Sequence, residues 1–176
     1  MNATHIHLFL NHIPLISAAV AILLIAIGVV KKSAELKKAS LWIFVVAALI
    51  TIPVYLTGEP AEGTVEHLPG VAEPIIEQHE RAALFSLIAI EILGVVSLAA
   101  LFASRRSTDL SKPFVAAVLG LSITAGGLMA WTANLGGQIR HTEIRSGAIA
   151  GSTSTGGEEA GEHQAAPKKE KKGEDE

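Results

Sequence analysis

The chain is expected to be all-α, an integral membrane four-helix bundle with both termini on the outer side and a disordered C-terminal tail. Three observations predict this. Nearly half of the 176 residues are apolar, at 49%, and they are gathered into four blocks, residues 8–30, 41–57, 82–103 and 113–134, with almost no charge inside any of them. Each block is close to the roughly 20 residues that cross a bilayer as a helix. Continuous apolar runs without two-residue alternation exclude a transmembrane barrel, because lipid leaves only helices or closed barrels as ways to satisfy the backbone. A soluble bundle would show a polar stripe on every helix. No such stripe exists in residues 43–52 or 115–121.

Orientation follows from the loops. Lys31, Lys32, Lys37 and Lys38 lie between the first and second blocks, and Arg105, Arg106 and Lys112 lie between the third and fourth. The 58–80 segment has six glutamates and no Lys or Arg. The positive-inside rule then places both basic loops in the cytoplasm and the acidic loop outside. Tyr55 and Trp131 fall near outer ends and Trp42 near an inner end, as interfacial anchors do. The start lacks the basic n-region of a cleavable signal peptide, so the first block is expected to remain as a span.

The first element is led by residues 2–14. Asn2 or Thr4 is placed to cap an early helix, on which His5 and His12, seven apart, share a face. His7 points elsewhere, since a five-residue step turns about 140°. Pro14 removes a backbone bond, so either the helix begins near Pro14 behind a flexible histidine segment or it is kinked there. The second block is short and is expected to extend past Thr57 or to sit tilted or in a thinned bilayer. It carries Pro53 and stops at Gly58-Glu59-Pro60. Pro74 suits the first turn of a helix that runs on through the third block, with His79 just outside the hydrocarbon. Small residues Ala82, Ala83 and Ser86 beside that histidine leave room for a neighbouring helix or a flat cofactor.

Glu91 is the one charge-capable residue well inside a block, a candidate proton relay or a neutral acid bonded to the hydroxyl of Thr51 or Thr124. In the fourth block Ala116, Gly120 and Thr124 stand four apart and predict close helix packing along that stripe. The polar segment from Asn134 through His141 to Arg145 is expected to continue as an interfacial helix. The bundle is assigned to residues 1–147, and residues 148–176, Gly/Ser/Thr-rich and then Lys/Glu-rich without aromatics, to a disordered tail.

Function is carried by the histidines. His5, His7, His12, His67, His79 and His141 all map to the outward side, and the seventh, His163, falls in the tail. Imidazole is the commonest neutral metal ligand and an axial haem ligand. Cysteine is absent, which excludes thiolate ligation, iron–sulfur clusters and covalent haem attachment.

At this point the chain resembles a family. His7-Leu8-Phe9-Leu10-Asn11-His12-Ile13-Pro14 is similar to the H-x(4)-H-x-P opening of the domain of unknown function 2231 family, predicted four-helix bacterial membrane proteins. Thr57-Gly58, His79 and Gly136-Gly137 resemble its later landmarks, so that the likeness spans residues 7 to about 147. In that family the closing histidine is usually followed by glycine, whereas His141 here is followed by Thr142-Glu143. The resemblance implies an architecture and no settled activity.

Two readings from different classes follow, with a third beside them. In the first, the protein is a membrane-anchored electron carrier or redox-complex subunit holding haem b, with two of His12, His79 and His141 as axial ligands, Asn11 and outer glutamates orienting them. Helical rise places His12 on the order of 10 Å deeper than the other two, a gap for a tilt or a Pro14 kink to close. In the second, His5, His7, His12, His79 and Glu80 form an outer-face Cu or Zn site of an accessory protein. In the third, the chain is a structural small subunit of a membrane complex. The partners implied are the lipid bilayer and other membrane or periplasmic redox proteins. No basic patch suggests nucleic acid, and no phosphate loop, dinucleotide fingerprint or nucleophile–base motif suggests an enzyme acting by itself.

Overall fold

In the computed structural model, residues 2–107 and 109–145 are described. Helix α1 spans Ala3–Leu10, α2 His12–Val30, α3 Ala34–Leu56, α4 Gly58–Val65, α5 Glu73–Ala103 and α6 Lys112–Arg140. Short 3-10 turns follow α5 at Ser104–Arg106 and α6 at Thr142–Ile144. The chain divides into two units after Thr142, and the first, Met1–Thr142, contains all six α-helices. The disordered tail expected over residues 148–176 and His163 within it lie outside the described residues.

Local chemistry sets the helix boundaries. The Asn2 side chain accepts from the amide of His5 at 3.0 Å, capping α1. Ser33 does the same for α3 through the amide of Leu36. The two arrangements left open at Pro14 resolve into a helix on each side of Asn11. Pro14 has no amide to offer the carbonyl of Leu10, which is the last residue of α1, and it sits in the first turn of α2 where a missing donor is harmless. His5 and His7 are therefore on the short helix α1 and His12 opens α2, in place of a flexible lead. Pro74 opens α5 and Pro113 opens α6 in the same way.

Four helical stretches are long and apolar enough to cross a membrane: Ala3–Val30, Ala34–Leu56, Glu73–Arg106 and Lys112–Arg140. The second gains its length at the opposite end from the one expected. It reaches back to Ala34 and stops at Leu56, and the chain beyond Thr57 turns into the separate helix α4. Large apolar side chains stand exposed along all four stretches, Leu23, Leu49, Val95 and Ile123 among them. An apolar belt of this extent is the surface of a protein solvated by lipid.

Helix α5 packs on α3 and α6, α3 packs on α2, and a lighter α2–α6 contact closes the bundle. Its core is Ala21 and Ile25 from α2, Phe44 and Ala47 from α3, Ile90 and Leu93 from α5, and Val118 and Ala125 from α6, all buried. Helices α3 and α5 approach closely at Gly94, where a Cβ would stand 2.6 Å from that of Ala48. The stripe Ala116, Gly120 and Thr124 is not the packed face of α6. All three are exposed, and a Cβ at Gly120 would touch nothing within 4 Å. Helix α6 packs instead through Val118, Ser122, Ala125 and Met129. Both rows recur at helical spacing, and only the bulk of the neighbouring helices selects between them.

The bundle has two polar ends. At the lysine end, Lys37 is buried beneath Gly28 and pairs with Asp109 in the α5–α6 connection. Lys38 Nζ donates to the carbonyl of Ser107 in that same connection. The opposite end carries α1, α4 and the first turns of α5.

Candidate functional site

At the histidine end the inward face of the first helical pair reads His7, Asn11, Pro14, Ala18, Ala21, Ile25 and Gly28, at spacings of three and four. His7 is thereby turned toward α3. Its Nδ1 lies 3.0 Å from the carbonyl oxygen of Val54, with Thr57 Oγ1 at 3.4 Å. Val54 is in the last turn of α3, where carbonyls lose their intrahelical donors. A carbonyl only accepts, so the Nδ1 that bonds it carries the proton and Nε2 keeps its lone pair.

His79 repeats the arrangement on another pair of helices. From α5 its Nδ1 reaches the carbonyl oxygen of Thr132 in α6 at 3.0 Å. Gly136, one turn further on, makes the approach possible: a Cβ there would lie 3.0 Å from His79 Cε1 and 3.3 Å from its Nδ1. Two turns along α5, Ser86 and Thr132 share a hydroxyl–hydroxyl bond of 2.8 Å, which fixes the α5–α6 register beneath the ring. The imidazoles of His7 and His79 are within electrostatic reach of one another. Neither Nε2 is bonded among the described residues, and neither is sealed from solvent.

Two further groups complete this end. The buried Oδ1 of Asn11, one turn from His7 on the same face, has no hydrogen-bond partner among the described residues. Glu62 of α4 shares a hydrogen bond with Glu80 of α5. That bond, with partial burial and the negative charges of Glu80, Glu66 and Glu59, pushes the Glu62 carboxyl up to about 7. Two carboxylates in contact hold a proton between them, because both cannot ionise cheaply at short range.

The other candidates are placed apart. His5 and His12 share an exposed face of the first helical pair, as their seven-residue spacing predicts, and this turns His12 away from His79. His7, a turn nearer the end, occupies the inward position. His141 is exposed at the C-cap of α6, where its backbone amide donates to Gly137. His67 is exposed beside Glu66, Nε2 to Oε1 being 3.1 Å. No three His, Asp or Glu side chains among the described residues converge at metal-ligand spacing, so the set His5, His7, His12, His79 and Glu80 is not gathered. Glu91 meets neither expected hydroxyl: Thr51 donates to the carbonyl of Ala47 and Thr124 to that of Gly120. Its Oε1 is buried without a hydrogen-bond partner among the described residues.

The inward placement of His7, bonded to the carbonyl of Val54 as His79 is to that of Thr132, is the feature that sequence reasoning missed. Its signal was present in the small-residue row that continues from His7 through Ala18 and Ala21. Glu62 left none, since it is one of six glutamates in the 58–80 segment.

The donor set suits some groups better than others. Two imidazoles with fixed Nδ1–H and open Nε2, backed by an orphaned amide oxygen, fit a group that brings its own in-plane ligands, as a porphyrin does. A bare zinc ion needs three or four protein ligands. A family model described as "Predicted membrane protein (DUF2231)" matches residues 3–143. No curated protein and no solved structure matches the chain.

Proposed function

The chain belongs to the domain of unknown function 2231 family of predicted membrane proteins, and from that premise we propose that it is a membrane-anchored electron-transfer protein, or a subunit of a membrane redox complex, that holds haem b between His7 and His79. The observation that carries this reading is the matched pair of imidazoles on separate helices, each anchored through Nδ1 to a backbone carbonyl with Nε2 uncommitted. A bound haem supplies a one-electron couple; the residues of this chain orient it and control its access to water. Binding is non-covalent, since the chain has no cysteine. His12 and His141 take no axial role in this reading.

In a bacterial inner membrane, the basic loops at residues 31–38 and 105–112 orient the histidine end outward, where its partners are membrane or periplasmic redox proteins.

Dithionite-reduced minus oxidised spectra of membranes containing the expressed protein test this reading. A reducible Soret and α-band is expected, lost in His7→Ala and in His79→Ala and kept in His12→Ala and His141→Ala. No such band after haem supplementation overturns it.

A further inference from the structure

The lysine end carries a feature that the haem reading does not use. Between α3 and α5 runs a groove of about 220 Å³, bordered by Lys38, Trp42, Leu98, Phe102 and Arg105. Both cations border it, and Lys38 Nζ also donates to the carbonyl of Ser107. Arg105 follows α5, its guanidinium held 3.9 Å over the ring of Phe102, and Lys38 is in the second turn of α3. Leu98, Leu101 and Phe102 give it apolar walls beside Ser104, and Trp42 is more than half exposed, at 55%. Trp42 also borders a second groove, between α2 and α3, of about 390 Å³ and lined almost wholly by apolar side chains such as Ile16, Val20 and Val46.

We propose that this groove is a binding site for one acidic glycerophospholipid, its phosphate between Lys38 and Arg105 and its acyl chains lying against Leu98 and on either side of Trp42. Charge complementarity selects the headgroup. Lys31, Lys32, Lys37, Lys38, Arg105, Arg106 and Lys112 stand at this end against only Glu35 and Asp109, and Asp109 is taken up by Lys37. Basic clefts between spanning helices recognise anionic headgroups in this way, and each cation near the surface adds a modest, salt-sensitive attraction. The cation–π contact holds the guanidinium at the mouth of the groove in place of a free sweep through solvent. Indole at the interface anchors against the acyl boundary. A soluble anion would use the two cations but leave the indole and the apolar walls without an occupant, so the source of the phosphate is a lipid.

Quenching of Trp42 tests this. The chain has two tryptophans, so Trp131→Phe leaves Trp42 as the sole emitter, and the purified variant is titrated in maltoside micelles with chain-brominated phosphatidylglycerol or phosphatidylcholine. Saturable quenching by the phosphatidylglycerol at lower mole fraction than by the phosphatidylcholine is expected. Adding Lys38→Gln and Arg105→Gln should weaken it about fivefold per charge removed, whereas Lys31→Gln with Lys32→Gln should leave it in place. Equal quenching by the two lipids overturns the proposal without reference to any charge variant. So does equal weakening by the Lys31/Lys32 pair, and so does displacement by millimolar glycerol phosphate, which would mark a free-phosphate site.

Discussion

The two ends of the bundle solve the same problem in opposite ways. Each must bring polar groups from different helices together at the edge of an apolar slab. At the lysine end the groups that join the helices meet protein partners: Lys37 meets Asp109, Lys38 meets the carbonyl of Ser107, and Ser40 and Ser104 donate to carbonyls three residues back. At the histidine end each ring is half used, and an amide oxygen stands buried without a partner. Buried polar groups are nearly always satisfied in a folded chain, so the orphaned Asn11 oxygen points to a ligand at the histidine end. The lysine end ties its helices together through these bonds; the histidine end is the candidate haem site.

Paired glycine substitutions give the sharpest way to break this contrast. Gly28→Val at the lysine end should cost about 1–3 kcal/mol, the usual penalty of overpacking, because a Cβ there stands 3.0 Å from the backbone nitrogen of Lys37 and cannot be accommodated by a rotamer change. Thermal denaturation in detergent should show the loss, with the haem-type difference spectrum unchanged in the protein that remains folded. Gly136→Ala should do the reverse. Its Cβ meets the movable ring of His79, and the lost ring–carbonyl bond of about 1 kcal/mol is offset by a helix-propensity gain of about 1 kcal/mol. Stability should stay nearly level while the spectrum is lost. If both variants move both readouts together, the division between a holding end and a binding end fails.

A smaller effect is expected at the ion pair. Asp109→Asn should lower the melting temperature, since it leaves the Lys37 ammonium buried without its counter-charge, whereas Lys37→Met should recover most of the loss by removing the charge altogether. The Lys37 ammonium bonded to Asp109 holds that carboxyl below its ordinary range, with the Leu110 amide adding to the effect. The pair's contribution is therefore present above the ordinary carboxylate range and fades as pH falls through the lowered value.

The carboxyl pair at the histidine end has the opposite sign. Glu62 titrates at about 7 in the fold against an ordinary 4.5. Between those values the folded chain keeps a proton that the unfolded chain has released, so stability falls as pH rises from about 4.5 to 7 and levels off above. Glu62→Gln donates to Glu80 at every pH, and a melting series from pH 4.5 to 8 should lose that slope. A slope unchanged in the variant would remove the shared proton from the account. The smallest effects belong to the outward face, where His5→Ala and His12→Ala should each shift stability by no more than about 0.5 kcal/mol, as exposed substitutions do.

Much of this was legible before any coordinates. Apolar blocks of membrane-spanning length, loop boundaries at Pro74 and Pro113 and the gathering of histidines at one end are written in composition and spacing, because bilayer thickness and backbone saturation leave helices few alternatives. The identity of the inward histidine was half legible, since His7 begins a row of small residues that ends at Gly28. What only the tertiary structure decided was rotation and partnership: that α6 turns Val118 and Ser122 inward and Gly120 outward, that Gly136 admits the ring of His79, and that Glu62 of α4 finds Glu80 of α5. Each residue along a helix turns the side chain by about 100°, so a sequence carries several plausible faces at once. Only the shape of the neighbouring helices selects one.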